Sequence, residues 1–346
     1  QKEFMNWKPG LTGYPDANIG EPKSKSSFKG TSWEGFENRH WSYHEKELQQ
    51  LGLMNLRIRY VYVAHHRAHA ASAFRMSDFQ DEHTCVVTLD GKGDGQSGTI
   101  YLGHPDGKME LKRSTPAIDS LGSFYQAVTE AIGFVPVDGE YKTMGLAAIG
   151  KSDLDNPFSD IMHVSDGSTN SSINWTFRPY NDIYPNKKVP NPLGSVSQTE
   201  IFAKYLKNYD PEQIAFFAQE VLENIVLDLI RDAMDITASS NLAVAGGVML
   251  NVKANSKIRD ELKPKKYFVF PDSADSGLAL GAALEALHTC GFNVKSTLNS
   301  PYLGVEFQDH QVKESLSKYD DIYVEYIGDA LPSRLADELV NGKVIG

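Results

Sequence analysis

Residues 211–289 place the tightest limits on what this chain can fold into. The run PEQIAFFAQEVLENIVLDLIRDAMDITASS opens with a proline, which a first helical turn tolerates, and Ile214, Phe217, Val221, Ile225, Leu229 and Met234 recur with helical spacing. A strand follows, NLAVA (241–245), then Gly246-Gly247, a helix from about residue 248, a strand YFVF (267–270), the loop PDSADSG and a helix from about 277 to 289. That succession predicts an α/β fold.

Upstream, LRIRYVYV (56–63) alternates apolar and charged residues before turning wholly apolar, as a strand entering a core does. TCVVTLD (84–90) and GTIYLG (98–103) read as the two strands of a hairpin around a glycine-rich turn, and a helix is expected near 120–133. Four stretches result: an N-terminal accessory segment (1–55) of loops and one helix near 42–52, a first lobe (56–150), a polar irregular insertion (151–210) and a second lobe (211–346).

Composition narrows the chemistry. With 346 residues, 41% of them hydrophobic, the chain can bury a core of ordinary size. Its two cysteines, Cys85 and Cys290, sit in apolar surroundings and cannot build a disulfide framework or a cysteine-rich zinc module, which fits a cytoplasmic setting. No apolar run reaches the roughly 18–20 residues that span a bilayer, so no membrane partner is expected. A net charge of −11 opposes general binding to nucleic acid. Small molecules are the expected partners.

Three stretches carry candidate chemistry. In VYVAHHRAHAASAF, His65 and His69 are four apart, so a helix beginning at about residue 65 would place them on one face, able to grip one ion. Helix capping and core hydrogen bonding are equally compatible with that spacing, and H-E-x-x-H is absent. In TLDGKGDGQSGTIYLG, residues 93–98 match G-x-G-x-x-G, but a strand follows where a dinucleotide site needs a helix; Lys92 and Tyr101 stand where a calcium loop needs oxygen ligands. What remains is a strand ending in Asp90, suited to a metal, before Gly91, Gly93 and Gly95, whose amides can approach phosphate. In VAGGVMLNVKAN, Gly246 and Gly247 leave room for a ligand at a helix start, and Asn251 and Asn255 share a helical face on which they are locally unfavourable. Asp275, before a Ser-Gly helix start, reads as a cap or a metal ligand.

Taken in order, HHRAHAASAF, TLDGKGDG, SLGSFY, GEYKTMGLAAIG, AGGVMLNVKAN and DSGLALGAAL resemble the O-carbamoyltransferases of the nodulation and antibiotic-tailoring type, over about residues 56 to 346. The core of that family is similar to the tRNA threonylcarbamoyl-transfer protein, a member of the actin, Hsp70 and sugar-kinase superfamily. The resemblance implies synthesis of carbamoyl-adenylate from carbamoyl phosphate and ATP, then transfer of the carbamoyl group to a hydroxyl of a small-molecule acceptor. It implies a metal site of His65, His69, Asp90 and Asp275, holding Fe2+ or another divalent transition metal. It places the adenylate against Gly246, Gly247 and Asn251, with Lys142 and Gly145 of the EYKTMG loop and the Gly91 and Gly93 amides nearby. His66 is the candidate proton acceptor. Members of the family also begin with a strand and loop bearing a His-Asp pair, and continue past the equivalent of GKVIG into a GPRALG-bearing, adenylate-forming domain; neither is in this sequence, so those portions of the protein are expected partners, and a homodimer is compatible. Two rival readings remain, a tRNA threonylcarbamoyl-transfer protein, which the acidic charge disfavours, and a noncatalytic nucleotide-binding module, which would need no transition-metal ligands.

Overall fold

The computed structural model describes residues 61, 63–151, 153–173, 177–178, 195–196, 199–292, 294 and 296–345. The helix expected near 42–52 and nearly all of the strand expected at 56–63 lie outside them.

A five-stranded sheet organises the larger unit, which runs to Leu298. Its strands are β1 (Thr84–Gly93), β2 (Gln96–Gly103), β3 (Met109–Pro116), β8 (Asn241–Ala245) and β9 (Lys266–Val269), in the order β3-β2-β1-β8-β9. The first three pair antiparallel, whereas Cys85–Thr88 run parallel beside Leu242–Ala245, and β8 is parallel to β9. Strands from the 56–150 and 211–346 stretches therefore share one sheet. The hairpin β1–β2 closes on Asp94-Gly95, both at positive φ, the residue pair that a two-residue turn of matching twist selects. This mixed sheet with helices on both faces is an α/β architecture, the fold class that the sequence predicts.

Alternation along the strands sorts the core into two layers. Cys85, Val87, Leu89, Leu242 and Val244 face α2 (Leu121–Ala131) and the 27-residue α5 (Pro211–Thr237). There Phe158 meets Phe124, Phe202 and Phe217 edge to face, with centroids 5.2–6.4 Å apart. Val86, Ala243 and Ala245 face the other way, toward α1 (His65–Met76) and α7 (Leu278–Thr289). Every α1 residue from His66 to Met76 is buried. Alanines at 68, 70, 71 and 73 let it lie close to its neighbours: a Cβ on Gly281 of α7 would stand 1.9 Å from the Ala68 carbonyl oxygen. Between these helices Glu285, 1% exposed, accepts from Arg67 Nε at 2.7 Å and Arg75 Nε at 3.0 Å. Burial pushes its carboxyl pKa up, but the Arg67 and Arg75 charges outweigh that and hold it below the usual range.

Three local expectations change. The EYKTMG segment is a helix, α3 (Glu140–Ala147), not a loop. The 151–210 stretch is not wholly irregular: it contains the hairpin β4 (Met162–Ser165) and β5 (Ser168–Ser171), the short pair β6 (Phe177–Arg178) and β7 (Ser195–Val196), and α4 (Thr199–Ala203). After Gly247 the chain makes a single 3-10 turn to Leu250, and α6 (Val252–Lys257) starts only at Val252. The second unit, from Asn299, contains α8 (Asp309–Leu316) and α9 (Leu331–Val340). No helix among the described residues is long and apolar enough to cross a membrane.

Candidate metal centre

The structure brings His65, His69, Asp90 and Asp275 together from three elements, with one candidate ligand atom from each lying within 4.8 Å of the others. Helix α1 begins at His65, so the histidines stand one turn apart on one face. Asp90 comes from β1 beyond its last ladder pair on β8, and Asp275 opens the turn that leads into α7. His65 Nε2 lies 3.1 Å from Asp90 Oδ2 and 3.5 Å from Asp275 Oδ1; His69 Nε2 lies 3.5 Å from Asp275 Oδ1.

Burial grades across the site. The His69 side chain is 1% exposed and Asp90 12%, while Asp275 is 68% exposed, so the cluster is closed beneath and open on the Asp275 side. Neither ring nitrogen of His69 has a hydrogen-bond partner among the described residues. A buried imidazole without a partner is costly unless something else takes its lone pair. Two imidazoles and two carboxylates suit a divalent transition metal, and the open side leaves room for a ligand oxygen.

Neighbouring backbone holds the ligands in place. Gly247 N–H donates to Asp90 Oδ1 at 3.0 Å, and His65 N–H donates to Asp94 Oδ2 at 2.7 Å, so a turn residue far along the chain caps α1. A Cβ on Gly93 would fall 2.0 Å from the His65 ring. Burial pushes the Asp90 carboxyl up, but the His65 hydrogen bond, the nearby His69 charge and the Gly247 amide outweigh it and hold the pKa at about 2. Burial pulls His65 down, and the Asp90 hydrogen bond with the Asp90, Asp275 and Asp94 charges more than reverses this, leaving it above its ordinary 6.5. Because a ligating imidazole must be neutral, protons compete with metal across that range. Metal affinity should therefore fall at least tenfold, roughly, from about pH 8 to about pH 6, with its midpoint above 6.5. A cobalt titration at several pH values checks this; a flat profile is the contrary result.

Other sequence-derived candidates have different surroundings. His66 is 1% exposed, with Nδ1 2.9 Å from the Thr88 hydroxyl, and burial lowers its pKa to about 4. That makes it a weak base at neutral pH and a packing partner of β1. Asn251 is occupied within the fold: it caps α6 by accepting from Ala254 N–H at 3.0 Å and exchanges two 2.9 Å bonds with Gln219. Asn255 donates to the Met249 carbonyl at 2.6 Å and accepts from Tyr267 at 2.9 Å. Capping and cross-linking thus account for both asparagines. Gly246, at φ +98°, sits where a Cβ would meet the Leu89 carbonyl oxygen at 2.2 Å. Gly91 lies under Gln126, and Lys142 and Gly145 are exposed on α3, which packs chiefly on α5 and α2. Sequence reasoning missed Asp94, Gly247 as a donor to Asp90, and the Arg67, Glu285 and Arg75 group; only the Asp-Gly turn pair offered a signal for any of them.

Comparison with known proteins settles the family. The sequence matches the model of the family described as "Carbamoyltransferase N-terminus" over residues 21–284, most of the chain. The chain belongs to that carbamoyltransferase family. Among its relatives, an uncharacterized protein of Methanocaldococcus jannaschii is 30% identical over 301 residues, covering 83% of this chain and 53% of the relative. The nodulation protein NolNO of Sinorhizobium fredii is 32% identical over 292 residues, covering 82% and 40%. This carbamoyltransferase-family chain spans about half the length of the curated relatives it matches. Among solved structures, HypF of T. kodakarensis aligns with a TM-score of 0.41 and 16% identity over 72% of this chain and 39% of that one.

Proposed function

We propose that this chain forms part of an O-carbamoyltransferase that makes carbamoyl-adenylate from carbamoyl phosphate and ATP and passes the carbamoyl group to a hydroxyl of a small-molecule natural product. The four-residue His/Asp cluster supports the reading, because a transferase acting on an activated carbamoyl group needs a fixed electrophilic centre and a cation held by these four side chains would supply one. The proposed cation is Fe2+ or another divalent transition metal; bound there, it supplies Lewis acidity toward phosphate or carbamoyl oxygens.

The surrounding chain suits an anion next to that cation. Helices α1 and α7 both have their N-terminal ends at the cluster, α1 at His65 and α7 just after the Asp275–Gly277 turn, and free amides with the positive end of each helix dipole favour phosphate. Ser120 caps α2 and donates to the Gly91 carbonyl at 2.6 Å, which sets a third helix start beside the β1 end. On α3, Gly145 is a mid-helix glycine that costs roughly 1 kcal/mol relative to alanine. Among the described residues, nothing outside its own helix and chain neighbours lies within 4 Å of where its Cβ would be, so that packing does not require the glycine, whereas a ligand lying on α3 would.

The test is incubation of the full-length protein with isotope-labelled carbamoyl phosphate, ATP and a panel of hydroxylated acceptors. Mass spectrometry should find an acceptor with one labelled carbamoyl group, formed only when both cosubstrates are present. ATP binding with neither adenylate formation nor transfer to any hydroxyl would move the reading toward the noncatalytic nucleotide-binding module.

A further inference from the structure

We propose that the buried Arg67–Glu285–Arg75 triad is a clamp that positions the metal centre, which makes Glu285 a positioning residue for ligands it does not touch. The inference rests on the metal reading above.

The two helices that meet at the triad are the two that deliver ligands. Helix α1 carries His65 and His69, and α7 continues directly from the turn opened by Asp275. Both start at the cluster and run away from it side by side, with contacts from Ala68 against Gly281 at one level to Arg75 against Glu285 further along. Where Gly281 meets α1, it faces only the Ala68 carbonyl and the Ser72 amide, small groups that allow close approach but offer little at that point to prevent one helix sliding or turning on the other. A slide of one ångström would carry Asp275 away from the histidines.

Glu285 supplies what that surface lacks. One carboxylate oxygen, Oε1, takes Arg67, and the other, Oε2, takes Arg75, so the carboxylate is held at two points eight residues apart on α1. Arg67 stands between the two histidine ligands in sequence, and its guanidinium also lies over the Tyr101 ring at 5.7 Å, which sets the rotation of the helix that presents them. Arg75 donates in addition to the Gly107 carbonyl at 2.9 Å, tying the same clamp to the β2–β3 turn. Stability alone does not call for such a group, since well-packed apolar residues often serve a buried site as well as an ion pair or better. Fixed geometry does call for it, as the partners that orient metal ligands usually influence affinity by about 10–100-fold.

The test titrates Co2+ into the metal-stripped protein and reads both Kd and the visible absorption bands, which report ligand geometry. Glu285→Gln, and separately Arg67→Lys, which keeps the charge but loses the fork, should each weaken Co2+ binding about 10–100-fold and shift the bands, with far-UV circular dichroism unchanged. Phe217→Leu, in the opposite core layer, lowers stability without touching α1 or α7 and should leave both readouts as in the wild type. If Glu285→Gln does not fold, Arg67→Lys decides by the same criterion. A folded variant with wild-type Kd and bands overturns the clamp, as does an equal change in Phe217→Leu. Wild-type protein that takes up no Co2+ overturns the metal reading beneath it, a result distinct from tight wild-type binding that neither variant alters.

Discussion

Gly246→Ala should destabilise the protein by about 3–5 kcal/mol, one of the largest effects open to a single methyl group here. Two independent costs add. The residue sits at φ +98° and ψ 151°, a region essentially restricted to glycine, which costs about 1–3 kcal/mol for any other residue. The new Cβ would also stand 2.2 Å from the Leu89 carbonyl oxygen, and that oxygen belongs to β1 at the centre of the sheet. Backbone cannot move aside as a side chain can, so either β1 or the 246–247 turn must shift. Either movement pulls the Gly247 amide off Asp90, and metal binding should fail together with stability. Urea unfolding midpoints measure the first effect and metal content the second. A loss under about 1 kcal/mol would show that the turn has slack this account denies.

His69→Ala should abolish metal binding while leaving a folded protein. The imidazole is the most enclosed of the four ligands, and its nitrogens accept or donate no hydrogen bond among the described residues, so truncation removes packing but breaks no hydrogen bond. In the wild type, a metal present at 100 times its Kd stabilises the fold by about 2.7 kcal/mol; a variant without the site gains none of this. Thermal melts with and without Co2+ should therefore separate for wild type and coincide for His69→Ala. Equal shifts in both proteins would place the cation elsewhere.

How much of this was legible beforehand depended on whether the determining interactions were local. His65 and His69 could be paired from spacing because a helix start converts four positions into one turn, and Asp90 was readable as the end of an apolar strand. Asp275 was ambiguous from its own residues, and the family resemblance supplied its partners. Helix α3 does not show as a helix in the sequence because Gly139 and Gly145 bracket EYKTM, yet tertiary packing of Thr143 and Ala147 holds it helical. Strand β3 is not legible in the sequence because MELKRSTP looks like surface, although Met109 is fully buried and Glu110 pairs with Lys112 on the outside. The structural partners of Asn251 and Asn255 are not legible from their own segment, because Gln219 and Tyr267 belong to other elements. Glu285 was invisible for the same reason, with its arginines more than two hundred positions upstream.

His65, His69, Asp90 and Asp275 are proposed to hold a cation on which the phosphate of a bound nucleotide rests. Calorimetric titration of ATP into metal-loaded and metal-stripped protein tests it most directly. Losing a charged contact of this kind is worth about 1.4 kcal/mol or more, so ATP should bind at least roughly tenfold more tightly to the loaded protein, and His69→Ala should behave like the stripped form under both conditions. The same Kd with and without metal in the wild type would contradict the account.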